Sequence, residues 1–180
     1  MLAGLHRVLR EIRPGVYARP ARLPSGEAPD EALDMINVWS HSPVLAPFAA
    51  RLRAAFPEIS GVVNNVTGRK AAIAVGEFER PVVGESRLSD RIGRYDFEIS
   101  ANSFFQTNTR SAERLYETVA AYAGLDGSET VLDLYSGTGT IPIMLSGGCR
   151  EVIGIEVVAS AVADARANCR LNGITNCQFV

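Results

Sequence analysis

The chain has 180 residues, 47% hydrophobic and 21% charged, which suits one or two globular domains with a sizeable core and excludes a disordered polyelectrolyte. A net charge of −2 argues against nucleic-acid binding by bulk charge. No apolar run reaches the roughly 18 residues a membrane helix needs, and the start Met1-Leu-Ala-Gly-Leu-His-Arg lacks a secretory layout, so a cytoplasmic setting without membrane contact is expected.

The first half is expected to be a small α+β unit. His6–Ile12 and Ala32–Ser40 have strand character and flank a Pro/Gly-rich connection, Pro14–Pro29. Leu45, Phe48, Ala49, Leu52 and Phe56 recur at helical spacing and predict a helix over Pro43–Phe56, with Ser42 as N-cap and Pro43 at its first position. Ile59–Thr67 and Lys70–Val75 predict a hairpin turning at Thr67-Gly68-Arg69. From Arg87 to Phe105 the chain is polar, then aromatic and extended, and Arg87, Arg91 and Arg94 read as a solvated basic face. A helix follows over Thr109–Ala123, with Ala112, Leu115, Tyr116, Val119 and Tyr122 on one face, Asn108 at its start and Gly124 as C′ residue.

The second half changes period. Val131-Leu-Asp-Leu134 predicts a strand and Tyr135-Ser-Gly-Thr-Gly139 a glycine turn onto a short helix, Thr140–Leu145. Val152-Ile-Gly-Ile-Glu-Val157 is a second strand ending in a carboxylate. Ala159–Leu171 is a second helix closed by Asn172-Gly173, and Gln178-Phe-Val180 opens a third strand. Strand, glycine turn, helix, strand and acid are the layout of a nucleotide-type cofactor site on an open parallel sheet, because glycines admit a ligand to the backbone and an acid after the second strand can hold ribose hydroxyls. Glu156 follows Asp133 by 23 residues, near the spacing of about 20 for such an acid. Pro142 stands at the position of the third glycine of a dinucleotide fingerprint, so Gly137 and Gly139 with acids on either side suit S-adenosylmethionine better than a pyrophosphate cofactor. Asp133 either fixes the loop or faces the cationic methionyl part of that cofactor. Cys149, Cys169 and Cys177 form no disulfide set and no C-x-x-C pair, and they lie away from the carboxyl ends of the strands. No metal, iron–sulfur cluster or nucleophile is therefore expected from them.

At Ser103-Phe-Phe-Gln106-x-Asn108 together with Asp133-Leu-Tyr-Ser-Gly-Thr-Gly-Thr140, the sequence resembles the RNA uracil-5-methyltransferases that modify 23S rRNA or tRNA. The resemblance extends to Val152–Glu156 and Ala167-Asn-x-x-x-Asn-Gly-Ile174, and more loosely to residues 33–102 through Met35-Ile-Asn-Val38 and Gly84-Glu-x-x-Leu88. It implies a central α+β, RNA-facing domain over 1–102, a connecting segment and helix over 103–128, and the amino-terminal part of a Rossmann-like methyltransferase sheet over 129–180. The implied cofactor is S-adenosylmethionine. Gln106 would contact it from outside the sheet, with Tyr135, Gly137, Gly139 and Thr140 in the glycine loop and Glu156 at the ribose. Thr140 departs from the family's usual Asn and shortens its reach.

The implied reaction is methyl transfer to carbon 5 of a uridine in RNA, with 23S rRNA ahead of tRNA as substrate. A cysteine thiolate adds to carbon 6, the resulting enolate attacks the sulfonium methyl, and a carboxylate base then removes the carbon-5 proton. In the family those groups come from strands after the third, so no catalytic residue is expected before Val180, and the chain is expected to bind cofactor without methylating. Two alternatives stay open: a noncatalytic RNA-binding or assembly module, and a methyltransferase acting on another RNA or protein site.

Overall fold

The computed structural model describes residues 16–20, 34–38, 45–57, 59–66, 78–106 and 108–180. These fall into two compact units, Met1–Arg87 and Leu88–Val180.

In the first unit β1 (Val16–Pro20) and β2 (Asp34–Val38) pair antiparallel, Val16 opposite Val38 and Pro20 opposite Asp34. A strand at β1 departs from the expected Pro/Gly-rich connection. Pro20 closes that strand, a position where a missing N–H costs little. Helix α1 (Leu45–Ala55) buries Leu45, Ala49 and Leu52, the expected stripe, against Ile59 and Val62. Strand β3 (Gly61–Val66) pairs antiparallel with β4 (Phe78–Gly84), with a register irregularity between Val62 and Val63 that brings Val63 opposite Pro81. Bulges are where a sheet tolerates proline, and Pro81 with Glu79 and Arg80 is why this strand is illegible as an apolar run. The expected strands His6–Ile12 and Lys70–Val75, the turn at 67–69 and the cap at Ser42 and Pro43 lie outside the described residues.

The second unit opens with β5 (Arg87–Ile92) and β6 (Tyr95–Ser100), paired through a two-residue turn whose Gly93 has φ +57. So short a connection requires an antiparallel hairpin. Tyr95, Phe97 and Ile99 alternate inward and join Phe105, Ala112, Tyr116, Ile143, Ala165 and Phe179 in one core. The Phe97 and Phe105 rings meet at 5.5 Å. The compact division falls between Arg87 and Leu88, at the start of this hairpin, and groups residues 88–102 with the parallel sheet.

Helix α2 (Thr109–Ala123) starts where the Asn108 side chain accepts from Ser111 N at 3.0 Å, and it ends at Gly124, φ +57. Ala112 and Tyr116 are buried, whereas Leu115 and Tyr122 of the same expected stripe are exposed. The parallel sheet follows as β7 (Thr130–Leu134), α3 (Thr140–Leu145), β8 (Glu151–Ile155), α4 (Ala159–Leu171) and β9 (Cys177–Phe179), in the order β7-β8-β9. Leu134 lies opposite Ile155 and Gly154 opposite Phe179. Helices α3 and α4 pack on the face that buries Val152 and Phe179, while Leu132 and Leu134 point from the other face and are more than half exposed.

Candidate cofactor site

The site lies where β7 and β8 end, the position at which ligands enter an open parallel sheet. Tyr135 N and Ser136 N both donate to Ile155 O, at 2.9 and 3.0 Å, and tie the glycine loop to the end of β8. Tyr135 makes this bend at φ +74, the one positive φ of a non-glycine among the described residues, and its ring is exposed. Gly139 N then donates to Ser136 O, and Ile143 N to Gly139 O, which starts α3.

The two glycines have different roles. Gly139 (φ +79) packs so closely that a Cβ there would lie 3.0 Å from both Ala165 Cβ and the Phe179 ring. Gly137 (φ +53) would direct a Cβ into open space with nothing within 4 Å. One glycine packs the loop onto the core; the other leaves its outer side open.

Glu156 stands immediately after β8 and clamps this loop. Its Oε2 accepts from Gly137 N at 3.0 Å and its Oε1 from Val158 N at 2.9 Å. Both oxygens keep a lone pair for further donors such as ribose hydroxyls. Asp133 Oδ2 and Ser136 Oγ are buried without a partner. Burial pushes the Asp133 carboxyl up, and the nearby Glu156 carboxylate adds to it; in turn burial, then the Asp133 charge, pushes the Tyr116 hydroxyl up. Buried polar atoms of a folded protein are ordinarily paired. The Asp133 oxygen, an acceptor left unpaired near the Glu156 carboxylate, suits a ligand that brings a cation or donors of its own.

Thr140 is buried, its hydroxyl 3.3 Å from that of Thr138, so it faces the loop. Gln106 is half-buried on the segment 101–106, outside the sheet, two residues after the exposed Phe104 and next to the buried Phe105. Asp133, Tyr135, Gly137, Gly139 and Glu156 are thus brought together at one strand end, whereas Gln106 lies on a separate segment. Sequence reasoning missed Ser136, whose serine has no motif value until its burial is known. It also missed the clamp role of Glu156, which joins residues far apart in the chain. Cys149 and Cys169 are buried, and hydrogen bonding to Cys169 pushes the half-buried Cys177 thiol strongly up. Among the described residues no group of three or more His, Cys, Asp or Glu is placed to hold a metal ion, and no helix is long and apolar enough to cross a membrane.

A parallel β7-β8-β9 sheet with a glycine turn and a carboxylate at the two strand ends defines a Rossmann-like methyltransferase fold. The profile of the tRNA (uracil-5-)-methyltransferase family matches residues 55–180, and the chain belongs to that family. It is 44% identical over 165 residues to an uncharacterized RNA methyltransferase of Chlorobaculum tepidum, covering 91% of this chain and 34% of that protein. An uncharacterized RNA methyltransferase of Geobacter sulfurreducens is 42% identical over 131 residues, 73% of this chain and 26% of its own length. Among solved structures, the tRNA (uracil-54, C5)-methyltransferase of Pyrococcus abyssi in complex with S-adenosyl-L-homocysteine superposes with a TM-score of 0.64 at 26% identity, over 83% of this chain and 35% of that one. The chain thus spans about a third of the length of such relatives.

Proposed function

We propose that this chain carries the cofactor-binding part of an enzyme that transfers a methyl group from S-adenosylmethionine to carbon 5 of a uridine in RNA, in the cytoplasm. The observation that carries the proposal is the unpartnered, buried Asp133 Oδ2 at the end of β7, near a Glu156 carboxylate that clamps a loop whose Gly137 leaves its outer side open. Family membership and the resemblance of Ser103–Asn108 support the uracil reading, and the bound S-adenosyl-L-homocysteine of the Pyrococcus relative supports the cofactor.

When bound, the cofactor supplies an electrophilic methyl on a sulfonium. The residues of this chain hold and orient it. Glu156 accepts from the ribose hydroxyls while keeping the loop amide of Gly137 in place, and Asp133 faces the positive methionyl end. Gly137 admits the ligand to the backbone, Gly139 and Thr140 hold the loop down, Tyr135 offers its exposed ring, and Gln106 closes the pocket from outside the sheet. Nothing in these roles requires net positive charge, which fits an RNA enzyme whose charge is −2 over this chain. Ribosomal RNA is the first substrate to test and tRNA the second. Deleting the encoding gene and measuring 5-methyluridine in both RNAs by mass spectrometry decides the matter. Loss of one 5-methyluridine is expected, and unchanged content in both RNAs refutes the proposal.

A further inference from the structure

Helix α4 and its C-cap carry three polar side chains on a buried or half-buried face, Asp164, Asn168 and the capping Asn172, each four residues from the next. They meet β6 at every second residue. Asn172 Oδ1 accepts from Asp96 N at 2.9 Å and its Nδ2 donates to Asp96 O at 2.7 Å. Asn168 Oδ1 accepts from Glu98 N at 2.8 Å. Asp164 Oδ2 accepts from Ser100 Oγ at 2.6 Å and also from Ser103 Oγ. The match is geometric: four helical residues rise about 6 Å and two strand residues about 6.6 Å, so the side chains stay in step with the strand. The helix thereby takes the place of a neighbouring strand along β6.

Two of these side chains reach further. Asn168, with no exposed surface, also donates from Nδ2 to Thr138 O in the glycine loop at 3.3 Å. Asp164, 1% exposed, holds Ser103, which lies three residues before Gln106 and donates its own N–H to Ser100 O. Packing alone does not call for this. A buried carboxylate and a buried amide on a helix face cost desolvation that an apolar face avoids. What they add is a fixed distance between these two segments.

We propose that Asp164 and Asn168 are positioning residues that hold the Gln106 segment and the glycine loop at the spacing the cofactor requires. Successive turns of one rigid helix set that spacing. The inference rests on the cofactor reading above and adds to it a dependence of binding on side chains that act through Ser103 and Thr138.

The test is a double-mutant cycle in the 180-residue chain, with S-adenosyl-L-homocysteine binding read by calorimetry and melting temperature followed in parallel. Ser103→Ala is expected to weaken binding about fivefold to twentyfold in the wild-type background and less than about twofold when Gln106 is already replaced by alanine, because the tether then positions nothing. Equal effects in the two backgrounds are what a merely structural role gives, and they overturn the inference while leaving the cofactor site standing. A wild-type chain that does not bind the ligand overturns both. Should Ser103→Ala abolish the melting transition, Asp164→Asn carries the same cycle, since it keeps an acceptor for the two hydroxyls but removes their charge-assisted bonds; coupling to Gln106 is again expected, and additivity again refutes it.

Discussion

Alanine at the two loop glycines separates ligand approach from packing. Both positions have φ well inside the left-handed region, +53 at Gly137 and +79 at Gly139, so alanine costs about 1–2 kcal/mol of backbone strain at either. At Gly137 the added methyl meets nothing within 4 Å, and strain is the whole stability cost. For a unit of this size about 1 kcal/mol lowers the melting temperature by about 4–8 °C. At Gly139 the methyl arrives 3.0 Å from Ala165 and from the Phe179 ring, and overpacking adds about 1–3 kcal/mol to the strain. Gly137→Ala is therefore the milder change for the fold and the more harmful one for the ligand, because its methyl occupies the cleared side of the loop. Calorimetric titration with S-adenosyl-L-homocysteine and thermal denaturation of both variants measure the two effects. The expected result is that Gly137→Ala melts higher than Gly139→Ala yet binds at least about tenfold more weakly than wild type, a loss of about 1.4 kcal/mol. Wild-type affinity in Gly137→Ala, or equal melting of the two variants, refutes the assignment of the two roles.

Three further expectations rest on single side chains. Glu156→Gln leaves one acceptor oxygen for two backbone donors, Gly137 N and Val158 N, so one charge-assisted bond worth about 1.5–3 kcal/mol is lost and cofactor affinity falls roughly tenfold to a hundredfold by calorimetry; unchanged affinity removes the clamp. Asp133→Asn raises the melting temperature at neutral pH. Burial and the Glu156 charge lift the Asp133 carboxyl, so the folded state binds its proton more tightly than the unfolded state and ionisation costs stability as pH rises through the lifted value. Melting from neutral pH down into the carboxylate range is expected to show that gain shrinking as wild-type Asp133 becomes protonated, and an Asp133→Asn variant less stable than wild type at neutral pH contradicts it. Phe97→Ala removes a ring with no exposed surface that meets Phe105 at 5.5 Å, and is expected to cost about 3–5 kcal/mol in the melting of the cofactor-binding unit. A melt of that unit indifferent to Phe97 would place the β5–β6 hairpin outside it.

Much of the second unit is legible in the sequence because its local signals agree with its tertiary role. Asn108 and Gly124 mark the ends of α2, Gly137 and Gly139 mark the loop, and Asn172-Gly173 closes α4, where Gly173 has φ +66. The β5–β6 hairpin is not legible as strands, since Arg87-Leu-Ser-Asp-Arg-Ile92 alternates around polar residues and Arg91 directs its charge into a bidentate bond to Asp96 at 2.6 and 3.1 Å. Strand β4 is hidden by Pro81, and β1 by the prolines around it. Within the site, the residues with motif value stand out in the sequence and those with positional value do not. Ser136 becomes informative only once its hydroxyl is seen buried and unpaired, and Asp164 and Asn168 only once β6 lies alongside them.

Calorimetric titration of the 180-residue chain with S-adenosyl-L-homocysteine and, separately, with NAD tests the assignment of the cofactor site most directly. One S-adenosyl-L-homocysteine site per chain is predicted, weakened at least about tenfold by Glu156→Gln, together with no binding of NAD. Absence of S-adenosyl-L-homocysteine binding, or NAD binding of comparable strength, would contradict it.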